Sequence, residues 1–140
     1  MDASHTRTHR SSCPISSSLD VLGDKWSLLV VRDMLFAGFR TFTEFLGAGE
    51  GIATNILTNR LARLEAAGII TSEPDPADRR RSIYSPTQKG RDLAPVLFAL
   101  SRWGVHYEGG RSNEFSDAYA RDPAGVLKRF EQAQNETQDA

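Results

Sequence analysis

A helix followed at once by a hairpin constrains this chain more than any other feature. "IATNILTNRLARLEAAG", residues 52–68, places Ile52, Ile56, Leu57, Leu61 and Leu64 on one side at helical spacing, with Gly68 as the stop. At about 100° per residue, Asn55, Thr58, Asn59 and Ala62 fall on the opposite side. "IITSE", "PDPAD" and "RRSIYS" come next. Strand-forming residues there flank a turn whose prolines preset φ and whose aspartates bond their own backbone. The segment predicts two short antiparallel strands, with Arg79, Arg80 and Arg81 on the tip and return strand. The formal net charge of the chain is −1, so three consecutive arginines stand out. They read as an anion-binding finger. The competing reading is a solvated loop in which they pair with Asp75 and Asp78.

Just upstream, "TFTEFLGAGEG" carries a capping box, Thr41 with Glu44, and a buried face of Phe42, Phe45 and Leu46. It ends in a glycine-rich turn, residues 47–51. No strand precedes that turn and no Gly-Lys-Ser/Thr follows it, which argues against a nucleotide loop. Short helix, glycine turn and longer helix have helix-turn-helix spacing. With the hairpin behind them, the fold class expected is mainly α with a small two-stranded antiparallel wing, a winged helix-turn-helix.

The flanks complete the plan. "CPISSSLDVLG" predicts a helix with Cys13 at the N-cap, Pro14 in first position and Gly23 as stop. "DKWSLLVVRDMLFAG", capped by Asp24, is apolar almost all round and reads as a central buried helix. Thr87 caps "QKGRDLAPVLFALSRWG", with a stripe of Leu93, Val96, Leu97, Leu100 and Trp103 and a kink expected at Pro95. "VHYEGGRS" reads as a loop. A short helix is expected over 113–121, and a last one from Asp122 and Pro123 with Val126, Leu127 and Phe130 on one face. "QAQNETQDA" is expected to fray. The domain plan is a polar tail at 1–12, a winged helix-turn-helix DNA-binding and dimerisation domain at 13–104, and a C-terminal helical extension at 105–140.

Composition narrows the function. Hydrophobic content of 39% fits a folded middle with solvated ends. No apolar run is long enough for a membrane span, and the N-terminus has no apolar signal region. One cysteine excludes an intrachain disulfide framework, and a reducing cytoplasm is the expected compartment. Residues 51–91 carry a local charge of +3, while residues 108–140 carry −3. That asymmetry points to one face for an anionic partner.

Double-stranded DNA is the partner these features fit. Asn pairs bidentately with adenine, and Thr offers a methyl group to thymine or a hydroxyl to a base or phosphate. Thr54, Asn55, Thr58 and Asn59 are therefore the candidate base readers. Arg40, Thr41, Arg63, Arg79, Arg80 and Arg81 are the candidates for phosphate or minor-groove contact. Arg60 falls on the apolar side of its helix and reads as structural, paired with Glu65 or Asp33. Trp26, Phe42 and Trp103 read as core or interface residues.

Three stretches, "CPISSSLDVLGDKWSLLVVRDMLFAGFRTFTEF", "GIATNILTNRLARLEAAGII" and "SIYSPTQKGRDLAPVLFALSRWG", resemble the HxlR-type winged-helix transcriptional regulators, relatives of the MarR regulators. The most specific pieces are Cys-Pro, Gly-Asp-Lys-Trp, Leu-Thr-Asn-Arg-Leu, and Thr-Gln-Lys-Gly with the later Trp-Gly. The resemblance implies a homodimeric bacterial DNA-binding regulator, with the helix matching "TNILTNRL" in the major groove. It also implies dimerisation through the first and C-terminal helices, with Ile15, Leu19, Leu97, Leu100 and Trp103 as interface candidates. Two departures stand out. A serine common before the recognition helix is Ala53 here, a poor cap, and Thr54 is expected to cap in its place. The wing, "DPADRRR", is closer to the MarR pattern.

Cys13 is a redox-sensing candidate. The positive end of a helix, with Arg10 near it, favours thiolate chemistry. The resemblance implies the same, since several HxlR-type regulators sense oxidants or electrophiles through a cysteine at this position. A small electrophile is thus one effector to expect. The alternative for Cys13 is a small hydrophobe at a helix start. His5, His9 and Cys13 are spaced four apart, but "ASHTRTHRSSC" lacks apolar support for a helix, so no metal or cofactor is assigned. Two rival functions remain. A winged helix can bind protein without DNA. A cysteine-dependent enzyme lacks a positioned base, because the only histidines lie in the tail and at His106.

Overall fold

The computed structural model of the chain describes residues 11–139. His5, His9 and Arg10 lie outside the described residues, as does nearly all of the expected tail. The chain divides into two compact units between Gly90 and Arg91.

In the first unit, α1 (Pro14–Leu22) and α2 (Ser27–Phe36) precede the short α3 (Phe42–Leu46) and the longer α4 (Thr54–Ala66). Strands β1 (Ile70–Pro74) and β2 (Ser82–Pro86) then pair antiparallel in register, Ile70 opposite Pro86 and Ser72 opposite Tyr84. The unit closes on the first turns of α5 (Gln88–Arg91). Most of the core lies where the periodicity puts it, but of the expected face Phe42, Phe45 and Leu46 only Phe45 is buried: Phe42 is half-buried and Leu46 is exposed. Val30, Val31 and Met34 of α2 are buried, as are Phe45 of α3 and Leu57, Leu61 and Leu64 of α4. Each such side chain contributes about 1.5–3 kcal/mol by leaving water. Phe45 also meets the rings of Phe39 and Tyr84 edge-on, with centroids 6.2 and 6.3 Å apart.

Helix α4 ends in a Schellman motif. The Gly68 amide donates to the Glu65 carbonyl and the Ile69 amide to the Leu64 carbonyl, both at 3.0 Å. Gly68 takes φ of +77°, which a side chain would resist.

In the second unit, α6 (Ala94–Tyr107), α7 (Glu114–Arg121) and α8 (Pro123–Asp139) pack on Ala94, Phe98 and Val126. The Phe98 ring stacks on Tyr119 at 5.1 Å and meets Phe130 edge-on at 6.2 Å. Asn113 caps α7 through a reciprocal pair of bonds with Ser116.

Three local expectations are corrected. The helix expected after Thr87 is two helices, because Pro95 sits in the first turn of α6, where its missing N–H costs nothing, and so starts a helix without kinking one. That helix does not stop at Gly104 but runs on to Tyr107, and Gly109 at φ +68° supplies the break. The strands end at Pro74 and resume at Ser82, so all three wing arginines lie in the tip and none on the return strand.

Candidate nucleic-acid interface

Helix α4 presents two unlike faces. Leu57, Leu61 and Leu64 are at most 2% exposed. Thr54, Asn55, Thr58 and Asn59, the four predicted base readers, are all exposed. The N-cap is Ala53, with φ −75° and ψ 148° and no side-chain bond to the helix. Thr54 is the first helical residue, so it does not replace the missing cap as expected: its backbone already lies inside the helix. The Thr58 hydroxyl donates to the Thr54 carbonyl at 2.9 Å, which leaves its oxygen as an acceptor.

Arg60 is structural, as expected, but its partner is Asp24 and not Glu65 or Asp33. Its Nε donates to Asp24 Oδ2 at 2.8 Å, and its Nη1 donates to Asn59 Oδ1. Asp24 also accepts from the amides of Trp26 and Ser27 at 2.9 and 3.0 Å and from the Ser27 hydroxyl at 2.5 Å. Burial alone would raise this carboxyl. The bonds from Ser27, Arg60 and the two amides outweigh it and hold Asp24 well below the usual carboxylate range. Glu65 instead accepts from the Ser72 hydroxyl at 3.0 Å, which ties α4 to the wing strand β1.

The C-terminal end of α4 is clamped by "TQKG". The Thr87 hydroxyl lies 2.6 Å from the Gly68 carbonyl, and Lys89 Nζ donates to the Ala67 carbonyl at 2.7 Å. A cation at the last carbonyls of a helix also complements its dipole. Gly90 lies so near β1 that an added Cβ would stand 2.3 Å from the Ile69 carbonyl oxygen. The motif is visible in the sequence but this role is not, since its partners lie about twenty residues away.

The wing tip is built by its aspartates. The Asp75 amide donates to the Arg81 carbonyl at 2.8 Å, closing the loop, and Asp75 Oδ1 accepts from the Ala77 amide at 2.9 Å. Arg80 forms a two-point pair with Asp78, at 3.0 and 3.1 Å, yet its side chain is 90% exposed. Hydrogen bonds from Arg80 lower the Asp78 carboxyl. Arg81 pairs with Asp75 at 3.2 Å. Arg79 is exposed and has no hydrogen bond or ion pair among the described residues. Arg80 and Arg81 are thus paired within the tip, as the competing reading expects, while Arg79 is unpaired among the described residues.

Two further candidates have intramolecular partners. Arg40 Nη1 donates to the carbonyls of Met34 and Phe39, both at 2.8 Å, and burial lowers its guanidinium. It latches the loop before α3, whose Arg40 carbonyl accepts from the Tyr84 amide of β2 at 2.8 Å. Thr41 completes the predicted capping box with Glu44. Arg63, in the last turn of α4, is exposed.

Away from this face, Cys13 is the N-cap of α1, with an exposed thiol that makes no cap bond. Ile15 and Leu19 are exposed on the same helix. On α6, Val96, Leu100, Trp103 and Tyr107 are exposed, whereas Leu97 is half-buried. Among the described residues, no helix is long and apolar enough to cross a membrane, and no cluster of His, Cys, Asp or Glu has the makings of a metal site.

Residues 21–112 match the HxlR-like helix-turn-helix family. The chain is 44% identical over 104 residues to sll1512, an HTH-type transcriptional regulator of Synechocystis, across 74% of this chain and 76% of that one. The crystal structure of PA1607, a candidate transcription factor, superposes with a TM-score of 0.66 at 39% identity, over 75% of this chain and 72% of that one. The oxidised form of the redox regulator HypR superposes with a TM-score of 0.59 at 32% identity, over 72% and 100%. These relatives are regulators and not enzymes. The chain belongs to the HxlR-like helix-turn-helix family, whose members are DNA-binding regulators of transcription.

Proposed function

We propose that this protein is a homodimeric repressor that binds an inverted-repeat operator, with α4 of each protomer in a major groove. One observation carries the reading: the polar residues of α4 face solvent while the opposite side is buried in the core. Thr54, Asn55, Thr58 and Asn59 supply specificity. Arg63 and Arg79 supply phosphate contacts directly, and Arg80 and Arg81 join by exchanging an aspartate for a phosphate. A bound dimer occludes the DNA it covers, which makes repression the natural output.

The exposed residues of α6 support self-association. Val96, Leu100, Trp103 and Tyr107 follow one another at spacings of four, three and four, the seam of a helix that pairs with another. On α1, Ile15 and Leu19 are a separate pair of exposed apolar side chains. A two-fold dimer reads half-sites about 10 bp apart or a multiple of that. Sedimentation equilibrium with a mobility shift on genomic fragments, from about 50 to 200 mM salt, tests the reading. A dimer whose binding weakens steeply with salt is expected. A folded protein with no salt-sensitive shift would favour the protein-binding alternative.

A sensory role for Cys13 is favoured by its exposed position at the start of α1, two residues before Ile15, and by the likeness to the redox regulator HypR. Modification there by an oxidant or electrophile would reset the spacing of paired α4 helices. DNA binding before and after mild oxidation, with Cys13→Ser as control, decides it. Equal responses of wild type and variant would end the sensor reading.

A further inference from the structure

Asn59 is held by its own neighbour. Arg60 Nη1 donates to Asn59 Oδ1 while Arg60 Nε donates to Asp24. A guanidinium carries five N–H donors and no acceptor, so the end of the carboxamide that faces it is the oxygen. Asp24 is fixed in turn by Trp26 and Ser27. A chain of bonds therefore runs from the turn between α1 and α2 to a side chain exposed on the candidate DNA face.

We propose that Arg60, anchored by Asp24, is a positioning residue that makes Asn59 select guanine over adenine. The proposal rests on the DNA-binding reading above and adds which base one of its residues prefers. An unrestrained Asn pairs with adenine at both ends, its NH2 donating to N7 and its oxygen accepting from N6. That pairing needs both ends of the carboxamide on one base edge. Arg60 takes one of the two Oδ1 lone pairs and fixes the orientation of the carboxamide, so the NH2 group, whose two N–H bonds have no partner among the described residues, is the end that leads onto a base. The guanine edge carries two acceptors, N7 and O6, and thymine carries one, O4; cytosine presents a donor that opposes it. Asn55 has no hydrogen bond of its side chain among the described residues and keeps the adenine pairing, so the two asparagines of one helix read different bases.

The test is selection from a pool of duplexes with a randomised core, using wild type, Asn55→Ala, Asn59→Ala and the double variant Asp24→Asn/Arg60→Leu, with thermal melts to follow folding. The base position that Asn59→Ala erases is the one Asn59 reads. In wild type it should hold guanine, with adenine disfavoured by about 5-fold or more, and in the double variant it should relax toward adenine. Adenine at that position in wild type overturns the proposal. So does an Asn59→Ala variant that erases nothing, or a folded double variant that leaves guanine in place. If the double variant does not fold, the wild-type base decides alone. A wild-type pool with no enriched sequence overturns the specific-DNA reading itself, and the proposal with it.

Discussion

Asp24 and Arg60 stand 36 residues apart in the chain and meet at 2.8 Å, each less than one-fifth exposed. The contact joins the Gly-Asp-Lys-Trp stretch to Leu-Thr-Asn-Arg-Leu, so two of the most distinctive sequence motifs are halves of one device. Asp24 receives the first amides around α2, and Arg60 carries that fixed point to the exposed face of α4. Breaking such a pair leaves a partly buried charge unpaired, which costs more than the pair contributes.

The acid limb of stability follows from this. The folded Asp24 carboxyl lies below its unfolded value of about 3.9. Its contribution is therefore complete above the unfolded value and is lost only as pH falls through the lower folded one. Asp24→Asn should be clearly less stable than wild type at neutral pH, and the gap should narrow as pH falls below about 4. Urea melts across that range check it. A gap that widens toward acid would contradict the assignment.

The wing arginines should not be equivalent. Arg79→Ala is expected to lower the salt slope of binding to random duplex by about one unit. Arg80→Ala and Arg81→Ala should lower it by less, because each arginine is already paired with an aspartate. Binding measured by anisotropy over a salt series separates them. Equal slopes in all four proteins would remove the tip from phosphate contact.

Ala53 is an open opportunity for stabilisation. It occupies the N-cap of α4 in an extended conformation that serine adopts freely. Ala53→Ser should add about 0.5–2 kcal/mol by capping a free amide. A denaturant midpoint that stays put or falls would show that the first-turn amides are satisfied otherwise.

Gly90 tolerates no side chain. With a Cβ only 2.3 Å from the Ile69 carbonyl oxygen, Gly90→Ala must push β1 or α5 aside. A loss of about 1–3 kcal/mol is expected from the overpacking. An unchanged midpoint would mean that the clamp on α4 has room to move.

Local chemistry was legible in the sequence, and long-range pairing was not. The capping box at Thr41, the stop at Gly68, the polar face of α4 and the hairpin turn each depend on residues within a few positions of one another. The partner of Arg60 could not be read this way, because nothing near it in the chain points to Asp24. Arg40 shows the same limit: the sequence offers it as a surface cation, and its bonds to the carbonyls of Met34 and Phe39 appear only in the fold. The paired state of Arg80 and Arg81 was one of two readings, and the geometry of the tip decided it. The stripe from Leu93 to Trp103 runs unbroken through Pro95, so the sequence alone predicts a helix interior where the fold has a helix start.

The central claim is that base specificity resides on the exposed face of α4, and Asn55→Ala and Asn59→Ala test it most directly. Anisotropy titrations of a selected operator duplex and a random duplex at one salt concentration should show each variant losing about 1–3 kcal/mol on the operator and almost nothing on random DNA. Equal losses on both duplexes, or none on either, would contradict it.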